Sequence, residues 1–199
     1  TVNQQLQDVA RALRWIRDHG SQYPCDMRNI MLTGDSAGGQ LAAYSAVLMQ
    51  SAQLRKTFDT VDPQMELTAL LLTSPVAFMR DGGLFSLYTK PMWGTDYKDK
   101  ATYPYMDFDQ IIDYAQALPP TYLITSSGDT LANKQTHRLY EVLQAHGVQA
   151  EIKDYAKAEY NQSLPHVFSV LQPFEPAGTA AIDKALAFYQ QAMTAKAAQ

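Results

Sequence analysis

The sequence predicts an α/β protein in which a parallel β-sheet is flanked by helices on both faces. Short apolar segments alternate along the chain with longer segments of helical periodicity, an order that is typical of parallel strands joined by helices. Residues 70–72 are three consecutive leucines, as expected for a strand that is buried on both sides. A G-x-S-x-G motif at residues 34–38 lies between a predicted strand and a predicted helix, which is the setting this motif requires.

Four strands and four helices follow from these patterns. The predicted strands span residues 30–34, 67–73, 121–126 and 149–155. The predicted helices span residues 3–18, 37–50, 132–146 and 179–196. Gly20 and Gly147 follow two of the helices, where glycine is favoured as a C-terminal cap. Because 199 residues are enough for one domain with a substantial core, residues 1–199 are assigned to a single domain.

Composition narrows the classes of partner. A net charge of −4 argues against nucleic acid as the main partner, and no apolar run is long enough to span a membrane. The single cysteine, Cys25, cannot form an internal disulfide, which suits a reducing compartment and a cytoplasmic location. Composition leaves open whether the chain forms a homo-oligomer.

Residues 75–118 interrupt the alternation of strands and helices. They contain nine of the 21 aromatic residues, together with Gly82-Gly83, Pro91 and Pro104. Irregular segments rich in aromatic residues are more often lids or pocket walls than core, so this segment is predicted to be an insert or lid. The alternative is a satellite aromatic cluster beneath a long loop.

Ser36 is the predicted nucleophile. The tight turn of a G-x-S-x-G motif holds the serine in a strained conformation that only small neighbours allow, and Gly34, Ala37 and Gly38 are small. The turn presents the hydroxyl at the carboxyl edge of the sheet. The next helix directs its positive end there, and the Ala37 amide is the predicted oxyanion donor. The alternative is a plain turn or a weak phosphate-binding loop.

A serine hydroxyl needs a base to remove its proton, and histidine is the usual base near neutral pH. His19 and His146 each precede a glycine at a helix end, where a cation suits the helix dipole, and both are interpreted as structural. His137 lies within a helix among polar residues and is interpreted as solvated. His166 follows the last predicted strand in a loop that can reach the sheet edge, so His166 is the predicted base.

The base in turn needs a carboxylate that fixes its tautomer. Asp129 follows the third predicted strand on a loop at the same edge and is the predicted acid. Aspartate at such a position is also a common helix N-cap, which is the alternative role for this residue. Asp154 is the second candidate, and Asp35 is interpreted as supporting the turn at the nucleophile.

Three sequence blocks carry a family resemblance: Gly34-Asp35-Ser36-Ala37-Gly38-Gly39, Gly128-Asp129-Thr130-Leu131 and His166-Val167-Phe168. In this order they resemble the hormone-sensitive-lipase-like esterases and lipases of the α/β-hydrolase fold. The resemblance covers nearly the whole chain. It implies that Ser36 is the nucleophile, Asp129 the acid and His166 the base, and that Ala37 supplies one amide of the oxyanion hole.

The chain departs from the family pattern before the nucleophile. Family members take their other oxyanion amides from a His-Gly-Gly loop upstream, and none of the 35 residues before Ser36 forms such a loop. The Gly82-Gly83 pair lies downstream and lacks the histidine. The sequence therefore resembles the C-terminal portion of a longer hydrolase, a partial α/β-hydrolase fold in which the strand at 30–34 is expected to expose an unpaired edge.

The predicted function is hydrolysis of short-chain acyl esters by a serine carboxylesterase, through an acyl-enzyme and without a metal or cofactor. The expected partner is a small-molecule ester. Apolar area with polar tips, which suits a small ester better than a deep lipid channel, is offered by Tyr88, Trp93, Tyr97, Tyr103 and Tyr105. The alternatives are a peptidase or amidase of the same fold and a non-catalytic binding module built on it.

Overall fold

A computed structural model describes residues 1–80 and 86–198 of the chain. The strands are β1 (Met31–Asp35), β2 (Ala69–Thr73), β3 (Thr121–Ser126) and β4 (Ala150–Tyr155). The helices are α1 (Val2–His19), α2 (Ser36–Leu48), α3 (Ala52–Phe58), α4 (Ser86–Trp93), α5 (Asn133–Ala145), α6 (Lys157–Tyr160), α7 (Phe168–Leu171) and α8 (Pro176–Ala197). Short 3-10 turns lie at Gly20–Gln22, Tyr97–Asp99, Tyr103–Tyr105, Phe108–Gln110 and Ile112–Tyr114.

Within the described residues, the four strands form one parallel sheet in the order β1-β2-β3-β4. Met31 pairs with Ala69, Leu70 pairs with Thr121, and Thr121 pairs with Ala150. All four strands therefore run in the same direction, and each connection returns the chain to the end of the sheet where the strands begin. The carboxyl ends of all four strands lie along the other edge, where open α/β sheets place their sites. The predicted fold class is confirmed.

Helices cover both faces of the sheet, because alternate side chains of a strand point to opposite faces. Leu70, Leu72 and Leu123 face the first side, where they form a buried cluster with side chains of α1, α2, α3 and α5. Tyr122 and Ile124 face the second side, where they pack with side chains of α7 and α8. Burial on both faces explains why the strands read as continuous apolar runs.

The connection between β2 and β3 packs on the first face. Trp93 and Phe108 are buried against Tyr44 of α2, with ring centroids 6.2 and 6.1 Å from that of Tyr44. The Tyr44 hydroxyl donates to the Tyr105 carbonyl at 2.9 Å. Part of this connection therefore completes the core over α2. The Gly82-Gly83 pair lies outside the described residues, and the interpretation of the connection as an insert or lid stays a prediction.

The observed elements differ from the predicted ones mainly at their ends. β3 has the predicted bounds, whereas β2 begins at Ala69, two residues late. α8 begins at Pro176, three residues early, because proline suits the first turn of a helix. Four short helices, α3, α4, α6 and α7, lie where no helix is predicted. None of the helices in the described ranges combines the length and apolar character that crossing a membrane requires.

Candidate active site

Ser36 lies at a sharp turn between β1 and α2. Its φ angle of 51° is left-handed, a conformation that residues other than glycine rarely adopt. The turn is tight, because a Cβ atom on Gly34 would lie 2.2 Å from the carbonyl oxygen of Gly38. A Cβ atom on Gly39 would lie 2.9 Å from Cβ of Pro75. Gly38 itself faces open space, so the close approach depends on Gly34 and Gly39 and not on the small size of Gly38.

The structure brings the three predicted triad side chains together at the carboxyl edge of the sheet. Nε2 of His166 lies 2.9 Å from Oγ of Ser36. Nδ1 of His166 lies 3.0 Å from Oδ2 of Asp129, on the other side of the ring. With Nδ1 protonated and donating to Asp129, Nε2 is free to accept the proton of the Ser36 hydroxyl. This arrangement can activate the serine as a nucleophile.

Asp129 is buried and uses its two carboxylate oxygens differently. Oδ2 faces His166, while Oδ1 accepts hydrogen bonds from the Leu131 and Ala132 amides at 3.0 and 2.9 Å. Burial raises the pKa of this carboxyl, but the hydrogen bonds from His166 and the Ala132 amide outweigh burial, so the pKa is lowered overall. The carboxylate therefore faces the base with one oxygen and binds the turn before α5 with the other. Asp129 is not the N-cap of α5, because that position is occupied by Ala132 and no side chain caps the helix.

In the described residues, neither of the other two candidate carboxylates, Asp154 and Asp35, is hydrogen-bonded to His166. Oδ2 of Asp154 accepts from Nδ2 of Asn133 at 2.9 Å and lies 2.9 Å from Nε2 of His137. His137, interpreted from the sequence as solvated, has 43% of its side chain exposed and also pairs with Asp154. Asp35 is exposed, and its side chain makes no capping hydrogen bond to α2.

The two histidines at helix ends pair with residues other than the predicted nucleophile. The ring of His19 stacks on that of Trp15, with centroids 4.6 Å apart, and its Nδ1 lies 2.9 Å from the Trp15 carbonyl oxygen. Nε2 of His146 lies 3.0 Å from Oδ1 of Asp113. His166 is thus the histidine that faces the predicted nucleophile.

Several contacts that hold the site together carry no signal in the sequence. Oγ of Ser126 donates to the Leu164 carbonyl at 2.6 Å, and Nδ2 of Asn133 donates to the Ser126 carbonyl at 2.9 Å. The Val76 amide donates to the Ser36 carbonyl at 3.0 Å, which ties the segment after β2 to the nucleophile. A serine at the end of a strand is common, and only the fold reveals a partner 38 residues away.

Ala37, the predicted oxyanion donor, lies in the first turn of α2 and is exposed. The first four N–H groups of a helix have no acceptor within the helix, and the helix dipole adds positive potential at that end. The Ala37 amide is therefore suited to stabilise negative charge that develops next to Ser36.

Comparisons with known proteins show similarity to esterases. A family model described as the α/β-hydrolase fold matches residues 1–164. The probable carboxylic ester hydrolase LipM of Mycobacterium tuberculosis is 26% identical over 185 residues, which cover 90% of this chain and 42% of LipM. Esterase LipQ of the same organism is 36% identical over 62 residues, which cover 31% of this chain and 15% of LipQ.

Solved structures extend the similarity to the fold. The crystal structure of esterase B from Lactobacillus Rhamnosis matches with a TM-score of 0.88 and 27% identity, covering 98% of this chain and 63% of that chain. The chain therefore spans less than two thirds of esterase B and less than half of LipM. Because the family model matches well over half of the chain, the resemblance found in the sequence is confirmed, and the chain belongs to the α/β-hydrolase family.

Proposed function

We propose that the chain carries the catalytic triad of a serine carboxylic ester hydrolase. One observation carries the proposal: Ser36, His166 and Asp129 form a continuous hydrogen-bonded line, with distances of 2.9 and 3.0 Å on the two sides of the imidazole. The left-handed backbone of Ser36 and the place of Ala37, an exposed residue in the first turn of α2, support the same chemistry. Relatives that are named ester hydrolases support an ester as the substrate.

In the first half of the proposed reaction, Nε2 of His166 takes the hydroxyl proton of Ser36 while Oγ forms a bond to the ester carbonyl carbon. The carbonyl electrons move onto oxygen, which accepts a hydrogen bond from the Ala37 amide. The intermediate then breaks its bond to the alcohol oxygen, and Nε2 returns the proton to that oxygen. This half leaves an acyl ester on Ser36 and a free alcohol.

In the second half, water takes the place of the serine hydroxyl. Nε2 of His166 accepts a proton from water as its oxygen attacks the acyl-enzyme, and then returns a proton to Oγ of Ser36 when the carboxylic acid leaves. Asp129 stays ionised throughout and stabilises the imidazolium that forms in each half. The buried, hydrogen-bonded carboxylate with its lowered pKa suits that role.

The proposal extends to short-chain acyl esters, with residues 75–118 forming a wall of the pocket. This segment leaves β2 beside the nucleophile, since the Val76 amide donates to the Ser36 carbonyl. Esterase B, which is 28% identical to this chain, has a solved structure inhibited with a C4-C4 tributyrin phosphonate, and tributyrin is a short-chain ester.

A cytoplasmic location is also proposed, because Cys25 is a free and exposed thiol, which suits a reducing compartment.

Covalent labelling by a fluorophosphonate probe tests the triad in the intact protein. We expect the label on Ser36, and we expect Ser36→Ala to abolish labelling while Ser127→Ala, a change at an exposed serine near the site, preserves it. A wild-type protein that is not labelled by the probe would reject the proposal.

A series of p-nitrophenyl esters tests which acyl chain length the enzyme prefers. We expect kcat/KM to peak between acetyl and hexanoyl esters, and a long-chain maximum or a preference for peptide amides would reject this specificity.

A further inference from the structure

The loops that carry the acid and the base are joined by a contact outside the triad. Ser126 ends β3 and is fully buried, and its Oγ donates to the Leu164 carbonyl at 2.6 Å. Leu164 lies two residues before His166. Gly128, the residue before Asp129, passes so close to the same carbonyl that a Cβ atom on it would lie 2.5 Å from the oxygen. The acid loop and the base loop therefore touch at one carbonyl group.

The chain that follows Leu164 has little freedom to move independently of it. The φ angle of Pro165 is restricted by its ring, and the Pro165 carbonyl accepts from the Phe168 amide at 3.1 Å, which closes a turn around His166. Val167 has a φ angle of 53°, a costly conformation for a β-branched residue that persists only where the surroundings enforce it. The backbone that carries His166 is therefore held close to Leu164.

We infer that Ser126 is a positioning residue, whose hydroxyl anchors the Leu164 carbonyl to the acid loop and so holds His166 between Asp129 and Ser36. The hydrogen bond is buried, so water does not replace the hydroxyl when it is removed. Because Asp129 follows Ser126 by only three residues, a base loop that moves away from Ser126 also moves away from the carboxylate. The inference rests on the proposed function for its kinetic readout alone.

The test compares Ser126→Ala with Thr121→Val in the intact protein. Both variants remove a β3 hydroxyl that donates to a backbone carbonyl, since Oγ1 of Thr121 donates to Pro119 at 2.9 Å. Thr121, however, lies at the opposite end of the strand. We expect Ser126→Ala to lower kcat roughly ten- to a hundred-fold with little change in KM, because small misplacements of a catalytic group are costly. Thr121→Val is expected to lower Tm and leave kcat unchanged.

A second readout does not depend on turnover. The proton between Nδ1 of His166 and Asp129 is expected to give a low-field proton NMR resonance that broadens or disappears in Ser126→Ala and persists in Thr121→Val. Gly128→Ala, which forces the two loops apart, is expected to have the same effect and provides a second variant if Ser126→Ala does not fold. An inactive wild type whose resonance is lost in Ser126→Ala would reject the proposed function and keep this inference.

Two results would overturn the inference. One is a Ser126→Ala protein that keeps the wild-type kcat and the wild-type resonance. The other is a Thr121→Val protein that loses as much kcat as Ser126→Ala, because the effect would then follow from general destabilisation and not from the place of the hydroxyl.

Discussion

The nucleophile corner and the acid–base loops are held in position by different kinds of interaction. At the corner, the geometry of Ser36 follows from its left-handed backbone and from glycines within a few residues of it. The acid–base loops instead depend on side-chain hydrogen bonds over long sequence separations: 37 positions from Asp129 to His166 and 38 positions from Ser126 to Leu164. The first kind of geometry is local and can be recognised as a motif. The second kind exists only once the sheet has brought distant loops together.

The nucleophile corner and the acid–base loops are expected to respond differently to mutation. At Gly34 and Gly39 the backbone of the corner leaves no room for an added methyl group, so a substitution there forces the close-packed turn to shift. A hydrogen bond between loops can lengthen gradually, so changes there misplace the base without unfolding the protein. We therefore expect mutations at the corner to affect stability and activity together, and mutations between the loops to affect mainly catalysis.

Removing triad groups has the largest expected effect and tests whether the two halves act as one unit. Ser36→Ala, His166→Ala and Asp129→Asn are each expected to lower kcat/KM by about 10³-fold or more. The double variant Ser36→Ala/His166→Ala is expected to lose little beyond the larger single loss, as steady-state ester hydrolysis can measure. Near-normal activity of His166→Ala would disprove that the nucleophile corner and the acid–base loops act as one unit.

Adding a methyl group at the corner has the next largest effect. Gly34→Ala places a Cβ atom against the Gly38 carbonyl and is expected to lower the free energy of unfolding by about 1–3 kcal/mol. Gly38→Ala faces open space and is the matched control, with little or no expected loss. Urea unfolding measures both variants. Equal losses would show that the corner is not limited by the contact at Gly34.

The smallest expected effect concerns acid stability. The pKa of Asp129 is lower in the folded protein than its ordinary value of 3.8, so its contribution to stability is full above that value and is lost as the pH falls through the lowered pKa. Asp129→Asn is expected to flatten the pH dependence of the free energy of unfolding in acid. Urea unfolding measured as a function of pH tests this, and an Asp129→Asn protein that keeps the wild-type pH dependence in acid would contradict it.

Much of the fold could be predicted from the sequence, because parallel strands buried on both faces are continuous apolar runs. The bounds of β3 and the turn at Ser36 depend on neighbouring residues, so both could be predicted from the sequence. The short helix α3 was not, since seven residues carry too little periodicity to stand out from a loop. The pairing of His137 with Asp154 was missed because it joins a helix to a strand 17 positions along the chain.

The candidate site, like the fold, could be predicted where it depends on local sequence and not where it depends on contacts between distant residues. Residue type and position after a strand singled out Asp129 and His166, and the order of the three blocks added to that. Neither type nor position distinguishes Ser126, because its role depends on where the Leu164 carbonyl lies. The openness around Gly38 is equally invisible in the sequence, where all glycines of the motif look alike.

The divided carboxylate of Asp129 limits how this position can change over evolutionary time. Its Oδ1 is required by the amides of Leu131 and Ala132, and its Oδ2 is required by His166. Asparagine can keep the first set of hydrogen bonds but presents an NH₂ group to the histidine, and glutamate moves both oxygens by one methylene. In descendants that abandon catalysis we therefore expect asparagine at this position, with the turn before α5 preserved long after the chemistry is lost.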